Sequence, residues 1–199
     1  MNAHITHFTP SAYRIMPWKN GAGSTTELLI SPRGSSVQAG FDWRISLAQV
    51  PASGPFSCFP DYQRTIMLLR GDPMQLVHQD HGEHLLQAFQ PYDFHGALTT
   101  TGILTGQPVE DFNVMIRDHL GRASIEVYRG TENTEFPTQT ADQQFIWSWS
   151  GEAKVAVGQQ NYEIKEQESL LIESGTNAIV RPGPRSTLLI IVNIFLAKS

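Results

Sequence analysis

Short stretches of alternating apolar and polar residues recur along the chain. In residues 42–50 the alternation places Trp43 and Ile45 on one face of a strand and Arg44 and Ser46 on the other. Few windows repeat with the 3.6-residue period of a helix, so the sequence predicts an all-β fold. The predicted strands are 26–31, 42–50, 64–70, 74–78, 84–89, 111–117, 124–129, 144–149, 153–157, 160–164, 169–173, 178–181 and 187–195.

The two halves of the chain share a rhythm of strands and glycine turns. A strand, a turn at Gly71 and another strand in the first half are matched by a strand, a turn at Gly151 and another strand in the second. This order is typical of small antiparallel barrels. We therefore expect two barrel-like halves, residues 1–121 and 122–199, and leave open an exchange of strands between them.

Composition narrows the function classes. The chain has 199 residues, a net charge of -5 and no basic run, which disfavours binding to nucleic acid. The longest apolar run, residues 188–197, is interrupted by Asn193 and is too short to span a membrane. Cys58 is the single cysteine, so an internal disulfide is excluded. The first residues lack the features of a signal peptide, and we expect a cytoplasmic protein.

The segment PWKNGAGSTTEL, residues 17–28, allows three interpretations: a phosphate-binding loop, a plain turn, or one wall of a small-molecule site. A dinucleotide fingerprint needs a third glycine after Gly21 and Gly23 and a helix after the loop, whereas a strand is predicted there. A turn at Asn20-Gly21 is plausible but leaves Trp18 unexplained.

Histidines and the cysteine give weaker signals. His78, His81 and His84 lie in a polar stretch containing Gly82, so we interpret them as exposed loop residues rather than metal ligands. Cys58 has no nearby base in the sequence and is interpreted as a small apolar residue.

Two arginines on predicted strands are more informative. If Arg44 and Arg64 point into a barrel, each requires a carboxylate partner or a bound anion. Glu27, Asp42 and Asp111 are the candidate internal partners, and the sequence leaves both alternatives open.

A further polar pair lies on the strand that begins at Asp111. Asp111 and Asn113 share one face of it, although both residue types disfavour strands. They form either an interior polar patch or a solvated face.

Five motifs, taken in order, resemble the HutD/Ves family. They are Pro17-Trp18-Lys19-Asn20-Gly21-x-Gly23-x-Thr25, Trp43-Arg44-x-Ser46, Gly54-x-Phe56-Ser57-x-Phe59-Pro60, Arg64 leading to Leu69-x-Gly71, and Asp111-Phe112-Asn113-x-Met115. The match covers most of the first half; in the second half mainly the strand rhythm agrees. The sequence departs from the pattern at Ala22 and at His95-Gly96-Ala97.

The resemblance implies a bicupin, with two cupin (jelly-roll) β-barrels in one chain. Members are associated with regulation of histidine utilisation or with stress and cold induction, and the first barrel is implied to bind a small acidic metabolite. It assigns no catalytic residue and no cofactor. The matching ligand-binding positions are Trp18, Asn20, Arg44, Ser46, Ser57, Phe59, Arg64, Asp111 and Asn113.

The cupin comparison also bears on a metal. Cupins that bind a metal carry H-x-H-x(3–4)-E-x(6)-G, and counting back from Gly71 places Arg64 at the glutamate position. The histidine positions fall on Ser57 and Phe59, or on Cys58 and Pro60. We therefore expect no metal and a site that attracts anions.

Three functional hypotheses follow. The first is a binding protein for a small anionic carboxylate. The second is a metal-independent isomerase or hydrolase with Asp111, Glu27 or His95 as general acid or base. The third is an interaction protein, with a homodimer as the candidate assembly and residues 188–196 as its interface or, more plainly, its core.

Overall fold

The computed structural model describes residues 4–18, 21, 23–173 and 175–197. Within them the chain forms β-strands and two three-residue 3₁₀ turns, Pro10–Ala12 and Asp118–Leu120. No helix among these described residues is long and apolar enough to cross a membrane.

The strands are numbered in chain order. The first eleven are β1 His4–Phe8, β2 Arg14–Pro17, β3 Ser24–Ser31, β4 Trp43–Val50, β5 Gly54–Pro55, β6 Tyr62–Arg70, β7 Met74–His78, β8 Gly82–Leu86, β9 Tyr92–His95, β10 Thr100–Leu104 and β11 Val109–Arg117. The remaining eight are β12 Gly121–Gly130, β13 Phe136–Pro137, β14 Gln143–Ser150, β15 Ala153–Val157, β16 Gln160–Ile164, β17 Ser169–Glu173, β18 Ile179–Pro182 and β19 Thr187–Leu196.

The chain divides into two compact units. One comprises Tyr13–Arg122, and the other comprises Met1–Ala12 with Ala123–Ser199. The N-terminal residues fall in the second unit because β1 pairs antiparallel with β17 along its whole length. The sequence predicted halves at residues 1–121 and 122–199 and left open an exchange of strands between them; here β1 belongs to the unit that contains Ala123–Ser199.

The first unit contains two antiparallel sheets. One has the order β2-β3-β4-β11-β6-β9 and the other β5-β10-β7-β8. Apolar side chains of both sheets form one core cluster, including Ile66 and Leu68 of the first sheet and Met74 and Leu76 of the second. This cluster identifies which face of the six-stranded sheet points inward.

The second unit repeats this arrangement with sheets β1-β17-β14-β19-β12 and β13-β18-β15-β16. Its core combines residues such as Ile146 and Ile191 of the first sheet with Val155 and Val180 of the second. Strand β19 lies between β14 and β12 and is buried over most of its length, so it belongs to the core. An interface role for residues 188–196 is thereby disfavoured.

The predicted strands are present, with shifted ends, and several short strands were missed. The segment expected at residues 84–89 is β8 Gly82–Leu86. The missed strands are β1, β2, β5, β9, β10 and β13. The strands β1, β2, β9 and β10 have only four or five residues each, and β5 and β13 have only two, so these strands are too short for periodicity to detect.

Candidate functional site

Polar residues of three adjacent strands line the interior face of the first unit's six-stranded sheet. Asn113 of β11 lies opposite Ser46 of β4, and Met115 lies between Arg44 of β4 and Arg64 of β6. All five side chains are on the face that also carries the inward-pointing core residues. The polar residues therefore point into the interior of the first unit. Alternation along β4 could not predict this orientation, because residues on both faces of that strand are buried.

Arg64 is buried in an aromatic cage and is only 4% exposed. Its guanidinium carbon lies 4.9 Å from the ring centre of Phe94, 5.5 Å from that of Phe56 and 5.7 Å from that of Phe59. Its Nη1 donates to the Ser57 carbonyl oxygen at 3.2 Å, and its Nε has no hydrogen-bond partner among the described residues. Such stacking stabilises the cation, and its Nε–H is a donor without an acceptor among the described residues.

The cation is retained at neutral pH. Burial lowers the pKa of Arg64 to about 10, an effect that the charge of Asp111 opposes and that of Arg44 reinforces. No described carboxylate lies within ion-pair distance of Arg64. The site therefore holds a buried positive charge without a direct counter-ion, an arrangement that costs free energy unless a ligand supplies the anion.

Arg44 has the internal partner that the sequence left open. Its Nε donates to Glu27 Oε2 at 2.7 Å, and both side chains are buried. Glu27 lies opposite Ser46 across β3 and β4. Arg44 is therefore paired with an internal carboxylate. Arg64 differs from it because no described carboxylate forms an ion pair with it.

Asp111 is completely buried and has no hydrogen-bond partner for either carboxylate oxygen among the described residues. Asn113 Oδ1 is likewise without a donor. Burial raises the pKa of Asp111 to about 7, while the Arg64 charge and the Asn113 amide favour the ionised form and Glu110 disfavours it. The Asn113 amide is near enough to act on the carboxylate, although its geometry falls short of a hydrogen bond.

The remaining predicted positions contribute unequally. Ser46 is buried on the interior face, and Phe59 is half-buried with its ring against Arg64. Ser57 is exposed and contributes its carbonyl oxygen to Arg64. Asn20 lies outside the described residues.

Trp18, in the segment of residues 17–28, packs against the core of the first unit. Its Nε1 donates to Thr25 Oγ1 at 2.9 Å, and its backbone N–H donates to the Gly23 carbonyl oxygen at 2.9 Å. A Cβ on Gly23 would lie 2.4 Å from the Gln49 carbonyl oxygen and 2.9 Å from the Trp18 ring. Gly23 is therefore required for the close packing of Trp18 against the backbone of Gln49.

Two aromatic members of the cage were missed by the sequence prediction of site residues. Phe94 lies on β9, one of the strands that the sequence did not predict. Phe56 follows the two-residue strand β5. The alternation of half-buried Tyr92, exposed Asp93 and buried Phe94 is typical of a strand. It was not used to predict one, because Pro91 directly precedes it and proline disfavours strands.

The interpretation of His78 as an exposed loop residue was wrong. His78 is the last residue of β7, points inward with Met74 and Leu76, and is 3% exposed. Its ring centre lies 5.1 Å from that of Phe94. Burial, followed by the charges of His81, His84 and Arg64, lowers its pKa, so the imidazole is neutral at physiological pH.

His95 lies away from this cage and has both ring nitrogens engaged. Nε2 lies 2.9 Å from Asp118 Oδ2, and Nδ1 accepts the Ala97 backbone N–H at 3.1 Å. A histidine whose lone pair already accepts a hydrogen bond is a poor general base.

A divalent metal does not fit the described residues of this barrel. The strand position that supplies the glutamate ligand in metal-binding cupins carries Arg64, whose guanidinium has no lone pair to donate to a cation. Among described histidine, cysteine and acidic residues no group of three is arranged to hold a metal.

The comparison with known proteins decides the family. A HutD family model matches residues 10–189. The chain belongs to the HutD family. An uncharacterised 21.2 kDa protein encoded in the hutC 3' region of Pseudomonas putida is 37% identical over 119 residues, covering 60% of this chain and 62% of that protein, which is less than two thirds of the relative.

Solved structures agree with this assignment. A conserved protein of unknown function from Pseudomonas aeruginosa has a TM-score of 0.87 and 27% identity, covering 96% of this chain and 99% of its own. HutD from Pseudomonas fluorescens has a TM-score of 0.74 with the same identity and coverage. A cupin barrel protein from Leptotrichia buccalis is 9% identical with a TM-score of 0.53 and covers 85% of this chain and 88% of its own, which shows the fold alone. The expected bicupin fold is confirmed.

Proposed function

We propose that this HutD-family protein binds a small carboxylate metabolite inside the first barrel, without a metal, and acts in the regulation of histidine utilisation or of a stress response. The observation that carries the proposal is Arg64, a buried cation with a free Nε and no ion-pair partner among the described residues. Arginine binds a carboxylate with two parallel hydrogen bonds, and the surrounding low dielectric strengthens them.

The other residues of the face supply a complementary lining. Ser46 and Asn113 offer hydrogen bonds, and the ring of Phe59 covers the cation on one side. Trp18 packs against the core cluster of the same unit. The curated relative lies in a hutC region, which supports a role in histidine utilisation for this chain.

Ligand-induced stabilisation tests the binding proposal. Urocanate, formiminoglutamate and formylglutamate would be screened by thermal shift and isothermal titration calorimetry against wild type, Arg64→Met and Arg70→Met. Arg70 is the matched control because it lies on the same strand but is exposed. We expect at least one acid to bind wild type and Arg70→Met, with affinity reduced by about 100-fold in Arg64→Met.

Two results would contradict this proposal. One is the absence of stabilisation by every small carboxylate tested. The other is equal binding by wild type and Arg64→Met, which would place the anion elsewhere.

A metal-independent enzyme is the second candidate function, and Asp111 is the observation that favours it. Glu27 is tied to Arg44 and His95 has both nitrogens engaged, whereas Asp111 is unpartnered with a pKa of about 7. A general base is most effective when its pKa is near the working pH. Turnover of a bound acid that is lost in Asp111→Asn while binding persists would establish it, and binding without turnover at any pH would remove it.

A further inference from the structure

The interior of the first barrel presents more unsatisfied acceptors than donors. The atoms without a partner among the described residues are Arg64 Nε on the donor side and Asp111 Oδ1, Asp111 Oδ2 and Asn113 Oδ1 on the acceptor side. A simple monocarboxylate would satisfy only the donor. It would also add a second negative charge to the interior that already contains Asp111.

The strand register separates these two kinds of group. Arg64 lies opposite Met115, whereas Asp111 and Asn113 lie earlier on β11, opposite Leu68 and Ile66 of the same β6 strand. The acceptors are therefore displaced along β11 toward the core cluster that contains Ile66 and Leu68. Four residues of a strand correspond to about 13 Å between Cα atoms, and the long arginine side chain spans part of that distance.

We infer that the ligand is bifunctional: it carries a carboxylate for Arg64 and, farther along the molecule, an N–H or O–H donor for Asp111 and Asn113. This inference rests on the proposed function and specifies its ligand class. Leaving a buried acceptor without a donor is costly, so a site built in this way discriminates strongly against an analogue that lacks the donor.

The flat rings of Phe56, Phe59 and Phe94 around the cation make planar acids suitable probes. Pyrrole-2-carboxylate and furan-2-carboxylate have nearly the same shape and the same anion, and differ in the ring N–H. Their longer homologues, 3-(pyrrol-2-yl)acrylate and 3-(furan-2-yl)acrylate, place the ring farther from the carboxylate. Comparing both pairs covers a short and a long spacing between the two groups.

Affinities would be measured by calorimetry at about pH 8.5, where Asp111 with a pKa of about 7 is ionised. In wild type we expect the pyrrole member of at least one pair to bind about tenfold or more tightly than its furan counterpart. In Asp111→Leu, which keeps the branched shape of the side chain and removes the acceptors, that preference should disappear. Leu68→Ala is the control for packing: Leu68 lies opposite Asp111, and its replacement changes the packing there without removing an acceptor.

The outcomes separate the two proposals. Equal affinity for pyrrole and furan acids, with both dependent on Arg64, would overturn the bifunctional ligand and leave anion binding intact. A pyrrole preference that persists in Asp111→Leu and is lost in Leu68→Ala would also overturn it, because shape rather than a hydrogen bond would explain the difference. Failure of all four acids to bind, together with failure of the pathway acids, would overturn both.

Discussion

At the residue scale, two arginines on the same interior face have different partners. Arg44 is neutralised by Glu27 at 2.7 Å, whereas Arg64 is surrounded by rings and has no carboxylate in contact. The family resemblance implied that both are ligand-binding positions, whereas alternation alone did not decide which face of β4 is enclosed. Which one has an internal partner depends on the β3–β4 register, where Glu27 lies opposite Ser46, and this is a property of the sheet.

The buried carboxylate of Asp111 leads to a prediction about pH. Its folded-state pKa of about 7 lies above the ordinary value of 3.8, so the folded protein binds more protons than the unfolded chain between these pH values. The free energy of unfolding therefore falls as pH rises through this window, by at most about 1.4 kcal/mol per pH unit. Above the window the loss is complete and no longer changes with pH.

Asp111→Asn should remove that slope and be more stable than wild type at pH 8 by about 2 to 4 kcal/mol. Urea unfolding between about pH 4.5 and pH 8 measures the free energy of unfolding of both proteins. The difference between the two values removes the contribution of the histidines, because these titrate in both proteins. A constant difference across this range would show that Asp111 is not the group that titrates.

At the element scale, β7, β9 and β10 are joined by a directional chain of hydrogen bonds. Tyr92 donates to His78 Nε2 at 3.2 Å, and His78 Nδ1 donates to Thr100 Oγ1 at 2.9 Å. The Thr100 hydroxyl then donates to the Leu98 carbonyl oxygen at 3.0 Å. Because that carbonyl can only accept, the Thr100 hydroxyl accepts from His78, which places a proton on Nδ1. Burial lowers the pKa of the ring and so favours the neutral imidazole, whose Nε2 accepts from Tyr92.

Breaking this chain should destabilise the first unit. Thr100→Val preserves shape but removes the acceptor for the buried His78 N–H, so we expect a loss of about 1 to 3 kcal/mol. Thr101→Val, at the neighbouring exposed position, is the matched control and should lie within about 0.5 kcal/mol of wild type. Denaturant unfolding measures both; equal effects would show that the chain is not a stabilising element.

At the scale of the whole molecule, the N-terminal strand belongs to the second unit. Strand β1 pairs with β17, and His4 and His7 lie 2.8 Å and 2.9 Å from Glu173 and Glu168. Deleting residues 1–9 should therefore expose the edge of β17. Hydrogen exchange should then show faster exchange in β17 and β14 and unchanged exchange in β11 of the first unit.

Deletion of residues 1–3 alone provides the control, since it leaves β1 present. If the longer deletion accelerates exchange in β11 as much as in β17, the two compact units do not open independently, and the division between them has no meaning for stability.

The sequence by itself determined the all-β class, the two-part organisation and the polar candidates, because strand alternation and family motifs are local properties. It also placed Arg64 where metal-binding cupins have a carboxylate. Tertiary structure alone decided that Arg44 is paired, that His78 is buried, and that Phe56 and Phe94 surround Arg64. These features depend on which strands lie opposite one another and which face is enclosed, and both are set by contacts between residues far apart in the chain.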